Sequence, residues 1–224
     1  MQPLNAELLA YVEDLFAPDS ANLRFLTDSA KRAGMPEGWE ISRDVGVLFQ
    51  ILCKAIGAKR VVEFGTLAGH SAYWLATALP SEGRVVSIEL NPKYAEVARE
   101  NLRQVGVGER VEVRVGAARD WLAPLEAEAN AGEKFDAIFL DADKAHYPQF
   151  LAWAERVLRP GGLLLADNVL HSGSWGEQTL LDSAADDPRI IGIREFNRLL
   201  AESPRFTATI VPIRAGVAVG LFHG

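Results

Sequence analysis

Three features of this 224-residue chain predict an α/β fold with a mostly parallel sheet, helices on both faces and an antiparallel hairpin at the C-terminal end. From Arg60 onward short β-like runs alternate with helical ones, and two of those runs stop abruptly on acids. After the last helical stretch come two β-rich runs with only Ile213-Arg214-Ala215 between them. Alternation of this kind is built from right-handed βαβ crossovers, whereas so short a joint suits a hairpin.

Ahead of the alternation, Asn5 to Phe16, Ser20 to Gly34 and Asp44 to Ile56 read as helices that cover one side of the sheet or a partner subunit. Val61-Val62-Glu63-Phe64 is the first strand, Arg84 to Ile88 the second. Asn91-Pro92, a capping residue followed by a proline in the first turn, starts a helix that runs to about Val105 and ends near Gly106. Val111 to Val115 and Phe135 to Leu140 are the third and fourth strands. The helix Tyr147 to Leu158 stops at the turn Arg159-Pro160-Gly161-Gly162, which feeds the fifth strand, Leu163 to Ala166. Arg189 to Glu202 sets Ile190, Ile193, Phe196, Leu199 and Leu200 on one face, as an amphipathic helix requires. Phe206 to Pro212 and Gly216 to Phe222 complete the hairpin.

With 49% hydrophobic residues the chain can bury one substantial core, so residues 1–224 are expected to form one domain, a helical cap of 1–58 on a core of 59–224. A formal charge of −7 and a pI near 5.2 disfavour nonspecific nucleic-acid binding and suit a small uncharged or metal-chelating substrate. The single cysteine, Cys53, cannot form an intramolecular disulfide, which points to a reducing compartment. Glu7, Glu13 and Asp14 do not fit a secretory signal, and no apolar run approaches the roughly 20 residues needed to span a bilayer. A soluble, cytoplasmic protein is expected.

The acids that end two strands carry the chemistry. A buried run that stops on a carboxylate puts it at the rim of the sheet, where open α/β folds bind ligands. If the strands Phe135 to Leu140 and Leu163 to Ala166 are neighbours, Asp141, Asp167 and Asn168 converge with Lys144. Their hard oxygens suit Mg²⁺, Mn²⁺ or Ca²⁺, and Lys144 is then the candidate proton acceptor. Taken singly, each patch is equally an ordinary helix cap.

The first strand runs into Glu63-Phe64-Gly65-Thr66-Leu67-Ala68-Gly69-His70-Ser71, a glycine turn that lets backbone approach a ligand and leads to a helix start with free N–H groups. It is not the Gly-x-Gly-x-x-Gly of dinucleotide folds. Glu89, twenty residues after Gly69, ends the second strand where a carboxylate can accept hydrogen bonds from both ribose hydroxyls of a nucleoside. Gly116 to Trp121, small residues and then an aromatic, follows the third strand as a candidate adenine edge.

In this order these motifs resemble the class I S-adenosylmethionine (SAM)-dependent methyltransferases, and more narrowly the cation-dependent O-methyltransferases of the caffeoyl-CoA and catechol type. The most specific segments are Val62-Glu63-Phe64-Gly65 with Gly69 and Ser71, Phe139 to Lys144, and Gly161-Gly162 through Asp167-Asn168. The resemblance implies a Rossmann-like seven-stranded sheet whose last two strands form the hairpin. It implies SAM, or S-adenosylhomocysteine (SAH), bordered by Ile41, Glu63, Gly65, Thr66, Ser71, Glu89, Ala118, Asp141 and Asp143. It also implies Mg²⁺ (or Mn²⁺ or Ca²⁺) on Asp141, Asp167 and Asn168, Lys144 as catalytic base beside the reacting hydroxyl, and a homodimer.

Val169-Leu170-His171 and Arg214-Ala215-Gly216 depart from the plant members near the expected substrate mouth, which counts against a caffeoyl-CoA thioester and leaves a hydroxyl with an adjacent oxygen, on a catechol, caffeoyl or related small aromatic, as the expected acceptor. His171 is expected to line that mouth, and Ser172 to Asp187, with Trp175, to form a lid loop. Two other readings compete: methylation of a hydroxyuridine in tRNA, for which a patch of Arg189, Arg194, Arg198 and Arg214 would argue, and a noncatalytic nucleoside-binding scaffold.

Overall fold

The computed structural model describes residues 6–170 and 180–224. Its helical cap comprises α1 (Ala6–Phe16), α2 (Ala21–Arg32) and α3 (Arg43–Ala55). Then β1 (Arg60–Phe64), α4 (His70–Ala78), β2 (Arg84–Glu89), α5 (Pro92–Gln104), β3 (Val111–Val115), α6 (Leu122–Ala131), β4 (Phe135–Leu140), α7 (Tyr147–Val157) and β5 (Leu158–Ala166) alternate. The chain finishes with α8 (Pro188–Glu202), β6 (Phe206–Val211) and β7 (Val217–Phe222).

Local chemistry sets the helix starts. The Ser20 hydroxyl accepts from Leu23 N at 3.2 Å to cap α2, Asn91 accepts from Lys93 N at 3.0 Å ahead of Pro92, and Asp187 accepts from Arg189 N at 2.8 Å ahead of Pro188. In the strands, alternation divides side chains between two cores. Val61, Phe139 and Leu165 pack under α3 and α4 with Phe49, Cys53 and Leu75, while Val62, Phe64, Ile138, Leu140 and Leu164 pack under α6, α7 and α8 with Leu125, Trp153 and Phe196. Helices thus cover both faces. Cys53 is fully buried, and burial pushes its thiol up to about 12, which keeps it an inert core residue.

The sheet order is β3-β2-β1-β4-β5-β7-β6, with β7 antiparallel to both β5 and β6 and every other pair parallel. Seven strands with a terminal antiparallel hairpin match the expected fold. The order reverses between β1 and β4, and in open α/β sheets the crevice beyond the strand ends at such a point is where ligands sit.

Two boundaries differ from expectation. The stretch Arg159 to Gly162 is a bulge inside β5, because Leu158 already pairs with Phe135 before the register resumes at Leu163 and Ala137. Asp136 fills the gap opposite the bulge, accepting from Arg159 Nε and, at 2.7 Å each, from Lys59 N and Arg60 N. In the hairpin the last pair is Val211 with Val217, so the connection spans residues 212–216 rather than three residues.

Candidate active site

Gly65 leaves β1 with φ of 106°, a backbone setting that disfavours any side chain, and a Cβ there would overlap the Asp141 carbonyl oxygen. The ends of β1 and β4 therefore meet only across glycine. Beyond the strands, Gly65 N donates to Ile88 O at 2.9 Å and Asp141 N donates to Phe64 O at 2.8 Å. Glu89 shapes the turn that follows. Its Oε2 accepts from Thr66 N at 3.2 Å and Leu67 N at 2.8 Å, and its Oε1 accepts from Asn91 N at 2.9 Å. Each carboxylate oxygen can accept more than one bond, so these contacts do not exhaust it.

Beneath the turn lies a buried polar chain. Ser87 pairs in register with Glu63, its hydroxyl donates to Glu63 Oε2 at 2.5 Å, and it lies 2.5 Å from the Thr66 hydroxyl. Glu63 Oε1 has no hydrogen-bond partner. Burial raises the Glu63 carboxyl to about 7; the nearby Ser71 and Ser87 hydroxyls pull it down, and the Asp141 and Glu89 carboxylates push it up.

A small cavity opens above this chain, lined by Trp39, Glu40, Ile41, Gly65, Thr66, Leu67, His70, Ser71 and Asp141. Five of the residues expected around the methyl donor meet there: Ile41, Gly65, Thr66, Ser71 and Asp141. Glu63 and Glu89 support the same turn from behind. Ala118, half-buried, opens the short helical turn Ala118–Trp121 after β3. Asp143 is not brought to the cavity. It is exposed, and its carboxylate closes its own turn, with Ala145 N at 3.2 Å and His146 Nδ1 at 2.7 Å.

The acidic patches do meet. β4 and β5 are parallel neighbours with Leu140 opposite Ala166, so Asp141 and Asp167 leave adjacent strand ends. The buried Tyr147 hydroxyl ties those ends together at 2.8 Å from Leu140 O and 3.2 Å from Asp167 O. Lys144, almost fully buried, donates to Asp141 Oδ1 at 2.5 Å, and its Nζ stands 5.3 Å from the centre of the Tyr147 ring. Its turn rests on α8 at Gly192, where a Cβ would overlap the Lys144 carbonyl oxygen.

Asn168 adopts a left-handed backbone (φ 60°) and donates from Nδ2 to Asp167 Oδ2 at 3.2 Å, leaving its own amide oxygen for another partner. The next two residues are pinned to the hairpin connection, Val169 N to Gly216 O at 3.1 Å and Leu170 N to Ala215 O at 2.8 Å. Arg214 in that connection bridges to Glu13 at 2.9 Å and Asp44 at 3.2 Å in the cap.

Electrostatically the patch is short of positive charge. Burial raises the Asp141 carboxyl against the pull of Lys144. Asp167 is raised to about 7, first by burial and then by the Asp141 carboxylate, against Lys144 and the Asn168 backbone N–H. A half-buried and a buried carboxylate sharing one ammonium, with an amide oxygen beside them, are a donor set that fits a hard divalent cation. Among the described residues no cluster of three or more His, Cys, Asp or Glu side chains suits a metal, and here the third oxygen comes from an asparagine.

The sequence pointed less clearly to three neighbours. Ser87 was detectable as a hydroxyl inside a buried strand, His70 as a polar residue directly after the second glycine, and Tyr147 carried no signal of its own. His171, Trp175 and the segment 172–179 of the expected lid lie outside the described residues. The four arginines do not form a free basic patch: Arg189 pairs with Asp187, Arg198 with Glu195 and Glu202, Arg214 with Glu13 and Asp44, and Arg194 donates to Asp182 O. Among the described residues no helix is long and apolar enough to cross a membrane.

Comparison with known proteins gives this geometry a lineage. The O-methyltransferase family model matches residues 17–221. A catechol O-methyltransferase of Niastella koreensis is 40% identical over 201 residues, covering 90% of this chain and 87% of the relative. The solved O-methyltransferase of Bacillus cereus in complex with SAH is 37% identical with a TM-score of 0.86, covering 95% of this chain and 96% of that one. An O-methyltransferase of Streptomyces achromogenes involved in tomaymycin synthesis, solved with SAM, is 31% identical at a TM-score of 0.86, covering 96% and 95%. With nearly its whole length matched, and the crevice between β1 and β4 built as described, the chain belongs to the O-methyltransferase family.

Proposed function

We propose that this enzyme transfers the methyl group of SAM to one hydroxyl of a catechol or related small aromatic carrying two adjacent oxygens, with the help of a divalent cation. One observation carries the reading: Asp141 and Asp167-Asn168 end two paired parallel strands, with Lys144 Nζ 2.5 Å from Asp141, at the edge of the cavity beside the glycine turn. In this reading SAM lies against Ile41, Gly65, Thr66, Ser71 and Asp141, backed by Glu63 and Glu89, with Ala118 at the adenine. Asp143, exposed and bonded to Ala145 N and His146 Nδ1, stands outside this donor site.

Asp141, Asp167 and the Asn168 amide oxygen would hold Mg²⁺, Mn²⁺ or Ca²⁺. Such an ion lowers the pKa of a neighbouring hydroxyl and helps to orient it. The acceptor oxygen forms its bond to the methyl carbon as the carbon–sulfur bond breaks, and the electron pair of that bond stays on sulfur. Lys144 Nζ, positioned by Asp141 and the Tyr147 ring, takes the hydroxyl proton as the neutral amine left once its ammonium proton has passed to solvent, a loss that a bound cation beside it would favour. Residues 1–58 serve as a cap on the 59–224 core. The exposed Tyr11, Leu15 and Phe16 of α1, with Ile51 of α3, support a homodimer through the cap. With Arg189, Arg198 and Arg214 each paired with carboxylates, a small aromatic is favoured over tRNA.

The test is methyl transfer from labelled SAM to catechols, caffeoyl thioesters, flavonoids and hydroxyuridine, with and without chelator. Catechol methylation that is lost on chelation and restored by Mg²⁺ or Mn²⁺ is expected. Activity that survives thorough chelation overturns the role of the cation.

A further inference from the structure

Beside the start of α4 two buried side-chain atoms lack hydrogen-bond partners, Glu63 Oε1 and His70 Nδ1. The first is an acceptor already placed at the donor site. The second belongs to a residue with no role in the reading above. His70 is only 6% exposed, is the first residue of α4 and lines the same cavity as Gly65, Ser71 and Asp141. Its other nitrogen, Nε2, lies 3.0 Å from the Thr27 hydroxyl on α2.

That contact leaves Nδ1 free to be the protonated nitrogen. Burial lowers the imidazole pKa, with the Glu40 carboxylate pulling the other way, so the ring is neutral and one nitrogen carries the proton. When the Thr27 hydroxyl donates to Nε2, the proton sits on Nδ1. A donor buried without an acceptor is costly, and a histidine retained for packing alone would leave that cost uncompensated. Nearby stand the Ser71 hydroxyl and the first-turn N–H groups of α4, which have no acceptor one turn back; the first such bond runs from Tyr73 N to Gly69 O. The cavity thus carries donors at the α4 end, facing carboxylates on Asp141 and, just behind, Glu63. An α-amino acid, with one carboxylate and one ammonium, has the complementary pattern.

We infer that the Nδ1–H of His70 donates to the α-carboxylate of the methyl donor's amino-acid portion, and that Thr27 is the positioning residue that fixes the tautomer. This assignment rests on the proposal that SAM occupies the cavity, and the test separates the two.

Calorimetric binding of SAH is compared with that of its decarboxylated analogue, 5′-deoxy-5′-(3-aminopropylthio)adenosine, for the wild type, His70→Gln and His70→Asn. Glutamine carries its amide to the place of Nε2, keeping the Thr27 contact but offering nothing at Nδ1. Asparagine puts its amide nitrogen where Nδ1 stood. The wild type should prefer SAH over the analogue. His70→Gln should lose about tenfold or more in SAH affinity and nothing for the analogue, while His70→Asn keeps most of the preference. Unchanged binding of the analogue also reports that the variant site is folded. Equal loss for both ligands in either variant, or a preference for SAH that survives in His70→Gln, overturns the role of His70. A wild type that binds neither ligand overturns the donor site itself, and the carboxylate contact with it.

Discussion

At the end of β1, hydroxyls and backbone N–H groups serve three of the four carboxylate oxygens of Glu63 and Glu89; at the ends of β4 and β5, Asp141 and Asp167 have the Lys144 ammonium as their shared counter-charge. The first region is held by hydrogen bonds from within the fold at all but one of these oxygens, so its geometry is largely set before any ligand arrives. The second is completed sterically, by Tyr147 and the hairpin connection, but not electrostatically. Preorganisation on one side and unspent negative charge on the other suit a fixed nucleoside and an exchangeable cation respectively.

Replacing one of the two facing acids breaks this contrast most sharply. Asp167→Asn should cost turnover on the order of 10³-fold, the equivalent of the several kcal/mol that a Lewis acid supplies. The same change should raise Tm measured without divalent cations, because the repulsion with Asp141 is gone. An unchanged or lower Tm would mean that the carboxylates do not strain the apo fold. Next in size, Lys144→Ala should lower kcat by about 10²- to 10³-fold while SAH affinity, read by calorimetry, stays put. Equal loss of both would make Lys144 a structural partner of Asp141.

The glycine-turn side is probed through Glu63. Its folded carboxyl at about 7 lies above the ordinary 4.5, so its contribution to stability is complete below pH ~4.5 and is lost as pH rises to ~7. Glu63→Gln should flatten the fall in unfolding free energy across that window by an amount on the order of 3 kcal/mol, measured by urea denaturation at several pH values. The smallest effect is expected at Arg214. Its pairs with Glu13 and Asp44 are partly exposed, so Arg214→Ala should cost under about 1 kcal/mol of stability. Mn²⁺ affinity should fall by about tenfold, because the hairpin connection that pins Val169 and Leu170 beside Asn168 is loosened.

What was legible in the sequence follows the range of the interactions. Strand runs, the Asn91-Pro92 cap and the acids at strand ends are local signals, and once β4 and β5 pair in parallel, the meeting of Asp141 with Asp167 follows from register alone. The bulge at Arg159 to Gly162 depends on Leu158 finding Phe135 across the sheet, so the sequence reads there as a turn. The Ala-rich α6 offers no clear apolar stripe, so no local pattern marks its ends. His70 acquires meaning only from Thr27, 43 residues earlier, and the contact of Asp143 with His146 depends on a rotamer that no sequence pattern encodes.

The close approach at Gly192 reaches beyond the lysine it supports. The chain enters the stretch after Leu170 from a point stapled to the hairpin and leaves it at α8, which is seated on the Lys144 turn. Both ends are thereby anchored, one beside Asn168 and the other beside Lys144. A side chain added at Gly192 would therefore press on the turn that carries Lys144 and on α8 together, so one substitution far along the chain would disturb both.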